Sequence, residues 1–236
     1  MPLTKTKGNN YDWITHSHAH LGGECPHHCA YCYVDNPRFG RHPKYQGELR
    51  LIEHEFGIEY GEGKKIFVEN CNDLFADKVP LGFIYRILNH CRKWPKNTYI
   101  IQTKNPGRML EHINIMPPDT LLGVTIETNR DMTDVGDAPP AKDRALAMSQ
   151  IKGRKFVTIE PILDFDIKEL SEMVIAIHPE FVNIGADSKG HGLPEPSIKK
   201  VMELGRRLSG TGIVVKEKRN LDRLRCSHTP TNTPSI

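Results

Sequence analysis

Three cysteines, Cys25, Cys29 and Cys32, fall within eight residues at C-x3-C-x2-C spacing. Thiolates this close in sequence can face one inorganic centre from a single loop. The count of three is informative. A [4Fe–4S] cluster is usually held by four cysteines, so three leave one iron open to a further ligand. The same logic separates a closed structural zinc site from a catalytic one with a free position. A zinc site would draw on Cys25, Cys29 and Cys32 with His27, His28 or a nearby histidine, but its usual second Cys or His pair is missing downstream. Three thiols without a metal are the remaining alternative, and the spacing leaves all three open.

The elements that must position such a loop follow from the hydrophobic pattern. Strand-like runs occur at 11–16, 65–70, 98–103, 121–127, 155–160, 181–186 and 213–216. Helical periodicity follows Pro80, where Ile84, Ile87, Leu88 and Cys91 share a face, and recurs over 107–112 and 141–152. Asp166 and Glu169 read as a capping box for a helix to Ile177, and Ser197 as the cap of another to Leu208. Strands alternating with helices specify an α/β fold with a parallel sheet. The expectation is a partial (β/α)6 TIM-like barrel with the cysteine loop after its first strand.

Sites of such barrels lie at the C-terminal strand ends. There the sequence places Asn70, Asn72 and Asp73, then Thr103, Lys104 and Asn105, then Thr125, Glu127 and Asn129, then Glu160, then Asp187, Ser188 and Lys189, and last Lys216 and Lys218. Thr128 to Pro140 is a long polar loop of the kind that carries function.

At 236 residues the chain can bury a sizeable core. The expected organisation is a loose segment at 1–10, one domain at 11–225 and a disordered tail at 226–236. Basic loop residues, Arg38, Arg41 and Lys44, follow the cysteines. No run of about 18 apolar residues is present, so no membrane span or membrane partner is expected. No apolar segment follows the first residues, so the expectation is a cytoplasmic protein with reduced thiols. Cys71, Cys91 and Cys226 are scattered and define no disulfide framework. The net charge is only +3, yet nine basic residues lie between Lys199 and Arg225 against Glu203, Glu217 and Asp222. They read as a solvated helix face or as a patch for an anionic substrate.

With Tyr31 just before the third cysteine, the loop resembles the C-x3-C-x-aromatic-C motif of radical S-adenosylmethionine (radical SAM) enzymes. Phe67-Val68 with Asp73-Leu74-Phe75, Thr103-Lys104-Asn105-Pro106, Gly123 to Glu127 and Ile159-Glu160-Pro161 extend the similarity to a small group from phages and bacteria of unassigned activity. That group is more distantly similar to spore photoproduct lyase, and the resemblance covers about 11–220. It implies a [4Fe–4S] cluster on Cys25, Cys29 and Cys32 and SAM on the fourth iron. It also implies an electron from a flavodoxin or ferredoxin-type donor and a 5′-deoxyadenosyl radical that abstracts a substrate hydrogen. By position, Asp73 with Asn70 and Asn72 would serve the methionine ammonium, and Thr125 and Glu127 the ribose. Thr103, Lys104 and Glu160 would complete the binding set. Cys71 reads either as a hydrogen donor to a product radical or as a small core residue. The substrate expectation leans to nucleic acid or a nucleotide. The competing expectation is a zinc-binding nucleic-acid module without catalysis.

Overall fold

The computed structural model describes residues 3–6, 11–34, 42–132 and 135–226. Its frame is an eight-stranded sheet in the order β1-β2-β5-β6-β7-β8-β9-β10. The strands are β1 (Thr4–Lys5), β2 (His16–His18), β5 (Lys65–Val68), β6 (Thr98–Thr103), β7 (Thr120–Thr125), β8 (Lys155–Ile159), β9 (Phe181–Ile184) and β10 (Val214–Glu217). A two-stranded ribbon, β3 (Leu21–Gly22) with β4 (Arg50–Leu51), sits between β2 and β5 in the chain. From β2 onward the main-sheet strands are parallel and follow chain order; β1 is antiparallel at the β2 edge. The helices are α1 (Leu81–Arg92), α2 (Pro106–Glu111), α3 (Ala141–Gln150), α4 (Ile167–Ile177), α5 (Ile198–Ser209) and α6 (Asp222–Cys226). Each unit adding beside the last gives the expected open, TIM-like α/β barrel.

Strand alternation divides the core in two. Ile66, Val68, Tyr99, Ile101, Val157 and Ile159 face the helices in the larger cluster. Phe67, Ile100, Leu121, Phe156 and Phe181 point inward and meet Tyr11, Trp13 and Ile14. These rings close the base of the barrel: Phe156 stacks on Phe181 at 5.4 Å, and Trp13 meets Phe156 edge-on at 5.6 Å. Gly123 makes room for them, because a Cβ there would lie 2.3 Å from Phe156 Cζ.

Several expectations shift. The first strand is His16–His18 rather than 11–16, since Tyr11 and Trp13 turn into the barrel base instead of pairing. Thr4–Lys5 pairs with β2 inside the segment read as loose; residues 1–2 and 7–10 lie outside the described set. The expected tail beyond 226 and the basic loop at Arg38 and Arg41 also lie outside it. Asp166 is the N-cap of α4 but makes no capping bond; its carboxylate binds Arg130 Nη2 at 2.7 Å instead. Ser197 does cap α5, Cys91 is fully buried, and the stretch after β10 turns helical at α6. Lys216 does not join the strand-end polar set: its ammonium lies 3.8 Å from the Phe181 ring centroid. No described helix is long and apolar enough to cross a membrane.

Candidate active site at the strand ends

A cavity of about 560 Å³ opens at the C-terminal ends of the parallel strands, and Cys25, Cys29 and Cys32 line it. The cysteine loop is fixed from three sides. On one, His27 Nε2 meets Asp73 Oδ2 at 2.8 Å beyond β5. On the second, the Tyr31 hydroxyl donates to Glu127 beyond β7. On the third, the segment before α3 packs behind the loop: Ala30 N donates to Val135 O at 3.2 Å and Asp137 N to His27 O at 2.7 Å. Gly136 sits at φ +130°, where a Cβ would come within 2.5 Å of His27 O. Only glycine fits both that backbone and that approach. The long polar loop thus carries the close support of the cysteines.

Asp73 joins the ends of β5 and β6. Oδ1 accepts from Thr103 Oγ1 at 2.7 Å and Phe75 N at 2.9 Å. Oδ2 accepts from His27 and from Lys104 N at 2.7 Å. Burial alone would raise its pKa, but the bonds from His27, Lys104 and Thr103 outweigh burial and hold it below the usual range. Its carboxylate is committed to these partners. The neighbouring Asn72 differs: Nδ2 donates to Gly23 O at 3.0 Å, while Oδ1 is buried with no partner among the described residues. Asn72 also lines the cavity, so this acceptor awaits a donor there.

Glu127 is equally buried and binds Lys104, Tyr31 and Arg144, the last at 2.7 Å. Burial opposes its charge; the two cations overcome that and push its pKa well below the carboxylate range. Arg144 Nη1 also donates to Thr125 O at 2.6 Å. Thr125 Oγ1 accepts from Gln102 Nε2 at 2.9 Å, and Gln102 accepts the Tyr11 hydroxyl at 2.8 Å, forming a hydrogen-bonded floor. Glu160 faces the cavity from beyond β8 through a cis bond to Pro161, with Lys218 Nζ at 2.7 Å and Asn220 Nδ2 at 2.9 Å. Cys71 lines the wall 3.6 Å from the Tyr33 hydroxyl, which donates to Asn70 O at 2.5 Å.

Of the residues singled out in the sequence, Cys25, Cys29, Cys32, Asn70, Cys71, Asn72, Asp73, Thr103, Lys104, Thr125, Glu160, Asp187, Ser188, Lys189 and Lys218 line this one cavity. Glu127 stands behind it, tied through Lys104. Asn105 instead caps α2, and Asn129 binds Asp166. Sequence reasoning missed Arg144, Glu69 and Tyr11. Arg144 follows a helical pattern and reads as a surface cation; the residue type carries no signal of its burial.

The donor chemistry bears on a metal centre. Among the described residues, no three or more Cys, His, Asp or Glu side chains converge on a single ion. His27 is committed to Asp73 and His28 is exposed. Burial pushes the Cys25 thiol up to about 12 and raises Cys29, so loading iron must displace protons from them. Three thiols line one cavity beside Asn72, a donor set of the type that iron–sulfur clusters take.

A parallel partial barrel with its cavity at the strand ends is an architecture shared with solved structures. A spore photoproduct lyase variant matches at TM-score 0.60 and 10% identity, over 92% of this chain and 80% of that one. Another, with bound AdoMet and dinucleoside spore photoproduct, matches at TM-score 0.51 and 10% identity over 88% of this chain; the match spans 65% of that one, under two thirds of its length. Streptococcus suis SuiB bound to precursor peptide SuiA matches at TM-score 0.58 and 8% identity, over 93% of this chain and 52% of that one. These likenesses are of fold. No curated protein matches the sequence. The chain belongs to the family described as Protein of unknown function (DUF5131), whose model matches residues 24–193, from the cysteine loop to past the end of β9.

Proposed function

We propose that this chain is a radical SAM enzyme. The observation that carries the reading is the placement of Cys25, Cys29 and Cys32 together on the strand-end cavity of a partial parallel barrel. The fold it shares with a lyase structure that holds AdoMet supports it. A [4Fe–4S] cluster on these cysteines, with SAM beside it, would supply reductive cleavage of the sulfur–C5′ bond and a 5′-deoxyadenosyl radical for hydrogen abstraction.

The chain's own residues position and enclose that chemistry. Asn72 Oδ1 is the open acceptor for an α-ammonium, and Asp73 holds the loop and strand ends in register around it. Glu160, with Lys218 and Asn220 on its oxygens, presents a fixed carboxylate toward sugar hydroxyls. Lys104 and Arg144 keep Glu127 charged, and Glu127 holds Tyr31 over the loop. The Tyr11–Gln102–Thr125 floor closes the cavity from below.

The substrate in this reading is a nucleic acid or nucleotide. Its support is the dinucleoside in the lyase relative, not surface charge. Between 199 and 225, five of the nine basic residues are paired: Lys200 with Asp164, Arg206 with Glu203, Lys218 with Glu160, Arg223 with Glu195, and Arg225 with Glu217 and Asp222. The electron source is a flavodoxin or ferredoxin-type protein, and an oxygen-sensitive cluster places the reaction in the reducing cytoplasm.

The test is anaerobic reconstitution with iron and sulfide. The expected product is a brown protein with about four irons per chain that releases 5′-deoxyadenosine from SAM and dithionite. A Cys29→Ser variant should lose both properties. A colourless protein with stoichiometric zinc would sink the reading.

A further inference from the structure

Behind the cavity wall lies a buried polar network that the proposed chemistry does not use. It runs between two carboxylates. Glu55 Oε2 meets His18 Nε2 at 3.0 Å, and His18 Nδ1 meets the Tyr60 hydroxyl at 2.5 Å. That hydroxyl meets His20 Nε2 at 3.2 Å, and His20 Nδ1 meets Glu69 Oε1 at 2.8 Å. The Glu55 end reaches the surface beside Lys44 Nζ at 2.6 Å and the exposed His54 at 3.8 Å. The Glu69 end lines the cavity, two residues before Cys71. Glu69 holds a left-handed backbone, φ +56°, that is costly for a residue with a Cβ. Its carboxylate also accepts from His20 N at 2.6 Å and Leu21 N at 3.1 Å.

The proton count is the telling feature. Two carboxylates at the ends require His18 to offer Nε2–H and His20 to offer Nδ1–H. With both rings neutral, each turns a lone pair toward the same Tyr60 oxygen, which has one proton to give. The 2.5 Å and 3.2 Å contacts assign that proton to His18. His20 Nε2 and the Tyr60 oxygen face each other as two acceptors, so the chain is one proton short.

We propose that Glu55, His18, Tyr60, His20 and Glu69 form a proton relay connecting the surface to the cavity. With one proton added, every contact becomes a donor–acceptor pair pointing the same way. The Glu55 carboxyl gives to His18 Nε2, His18 Nδ1–H to Tyr60, Tyr60 to His20 Nε2, and His20 Nδ1–H to Glu69. When each proton crosses to its acceptor, four N–H or O–H bonds break and four form. One proton has then moved from Glu55 to Glu69, and no electron has changed hands.

The surroundings favour a neutral His18 ring, as a relay needs. Burial, with His20 beside it, pushes His18 down to about 4 against the opposing pull of Glu55 and Glu69. His90 of α1 packs 4.9 Å from Tyr60 and 5.1 Å from His20; burial, with His20 and His18 beside it, takes it down to about 4. The other titratable groups beside Tyr60 are Cys91, whose thiol shares a hydrogen bond with the Tyr60 hydroxyl, and Tyr99; burial raises both. The relay depends on the radical SAM reading only for what consumes or releases the proton in the cavity.

The test is therefore made on the full chain without cofactors, by ring 15N spectra of His18 and His20 against pH. The expected tautomers are Nε2–H for His18 and Nδ1–H for His20, with both rings moving in one shared transition on acidification. Tyr60→Phe removes only the hydroxyl and should split that transition into two, about one pH unit or more apart. Glu55→Gln, which touches His18 but not His20, should displace the resonances of both. Rings that titrate independently in the natural chain, or a His20 that ignores Glu55→Gln, would overturn the relay. Failure of cluster assembly, by contrast, would remove the radical chemistry and leave this result standing.

Discussion

Glu127 carries a negative charge where almost no water reaches, and Arg144 is its most buried partner. Removing one member of a buried pair strands the other, at about 3–5 kcal/mol. Arg144→Met should therefore lower the urea midpoint by a comparable amount, and Glu127→Gln added to it should recover part of the loss. Acid exposes the same charges. Asp73 and Glu127 have folded pKa values below their ordinary 3.8 and 4.5. Their stabilisation is complete above those ordinary values and is lost as pH falls through the depressed ones. The natural chain should lose stability between about pH 5 and about pH 2, and Glu127→Gln should lose less over that range. Cys71 offers a third test: as a hydrogen donor, Cys71→Ala would leave SAM cleavage intact and change the product. An identical product would return Cys71 to an ordinary wall residue. The cysteines were legible in sequence because spacing alone assembles them. Arg144 and Glu69 were not, because their burial depends on contacts made by distant strands. Asp73 follows β5 beside the cavity, and only side-chain geometry reveals that its carboxylate is bonded while Asn72 Oδ1 is not.

At the scale of elements, the cysteine loop owes its position to a segment about a hundred residues away in the chain. Gly136 allows that segment to lie against His27 and Cys29. Gly136→Ala should keep the far-UV signature and loosen the loop locally by about 1–3 kcal/mol. Amide exchange at Ala30 and Asp137, whose donors cross this junction, should quicken by about tenfold for each 1.4 kcal/mol. Unchanged exchange would show that the junction does not hold the loop. The βα pattern from 65 to 217 was readable because each buried strand is a short apolar run and each helix has an apolar stripe. The first strand was misplaced because Tyr11 and Trp13 look like strand residues while serving as a plug. Pattern within a segment does not say which neighbour it meets.

Across the whole molecule, scaffold and chemistry occupy opposite ends of the barrel. The base is closed by Phe156, Phe181, Trp13 and Tyr11, and the helices pack on the outer face. The three cysteines belong to neither core cluster. This separation makes a joint prediction. Phe156 is fully buried within the inner cluster, so Phe156→Ala should cost about 3–5 kcal/mol and shift the denaturation midpoint accordingly. The combined Cys25→Ser, Cys29→Ser and Cys32→Ser variant, compared with the iron-free natural chain, should cost about 1 kcal/mol, well below Phe156→Ala. It should keep the same cooperative transition and fail only to take up iron. A triple variant that unfolds would mean the loop thiols help hold the barrel, and the distinction between a grafted site and its supporting fold would fall.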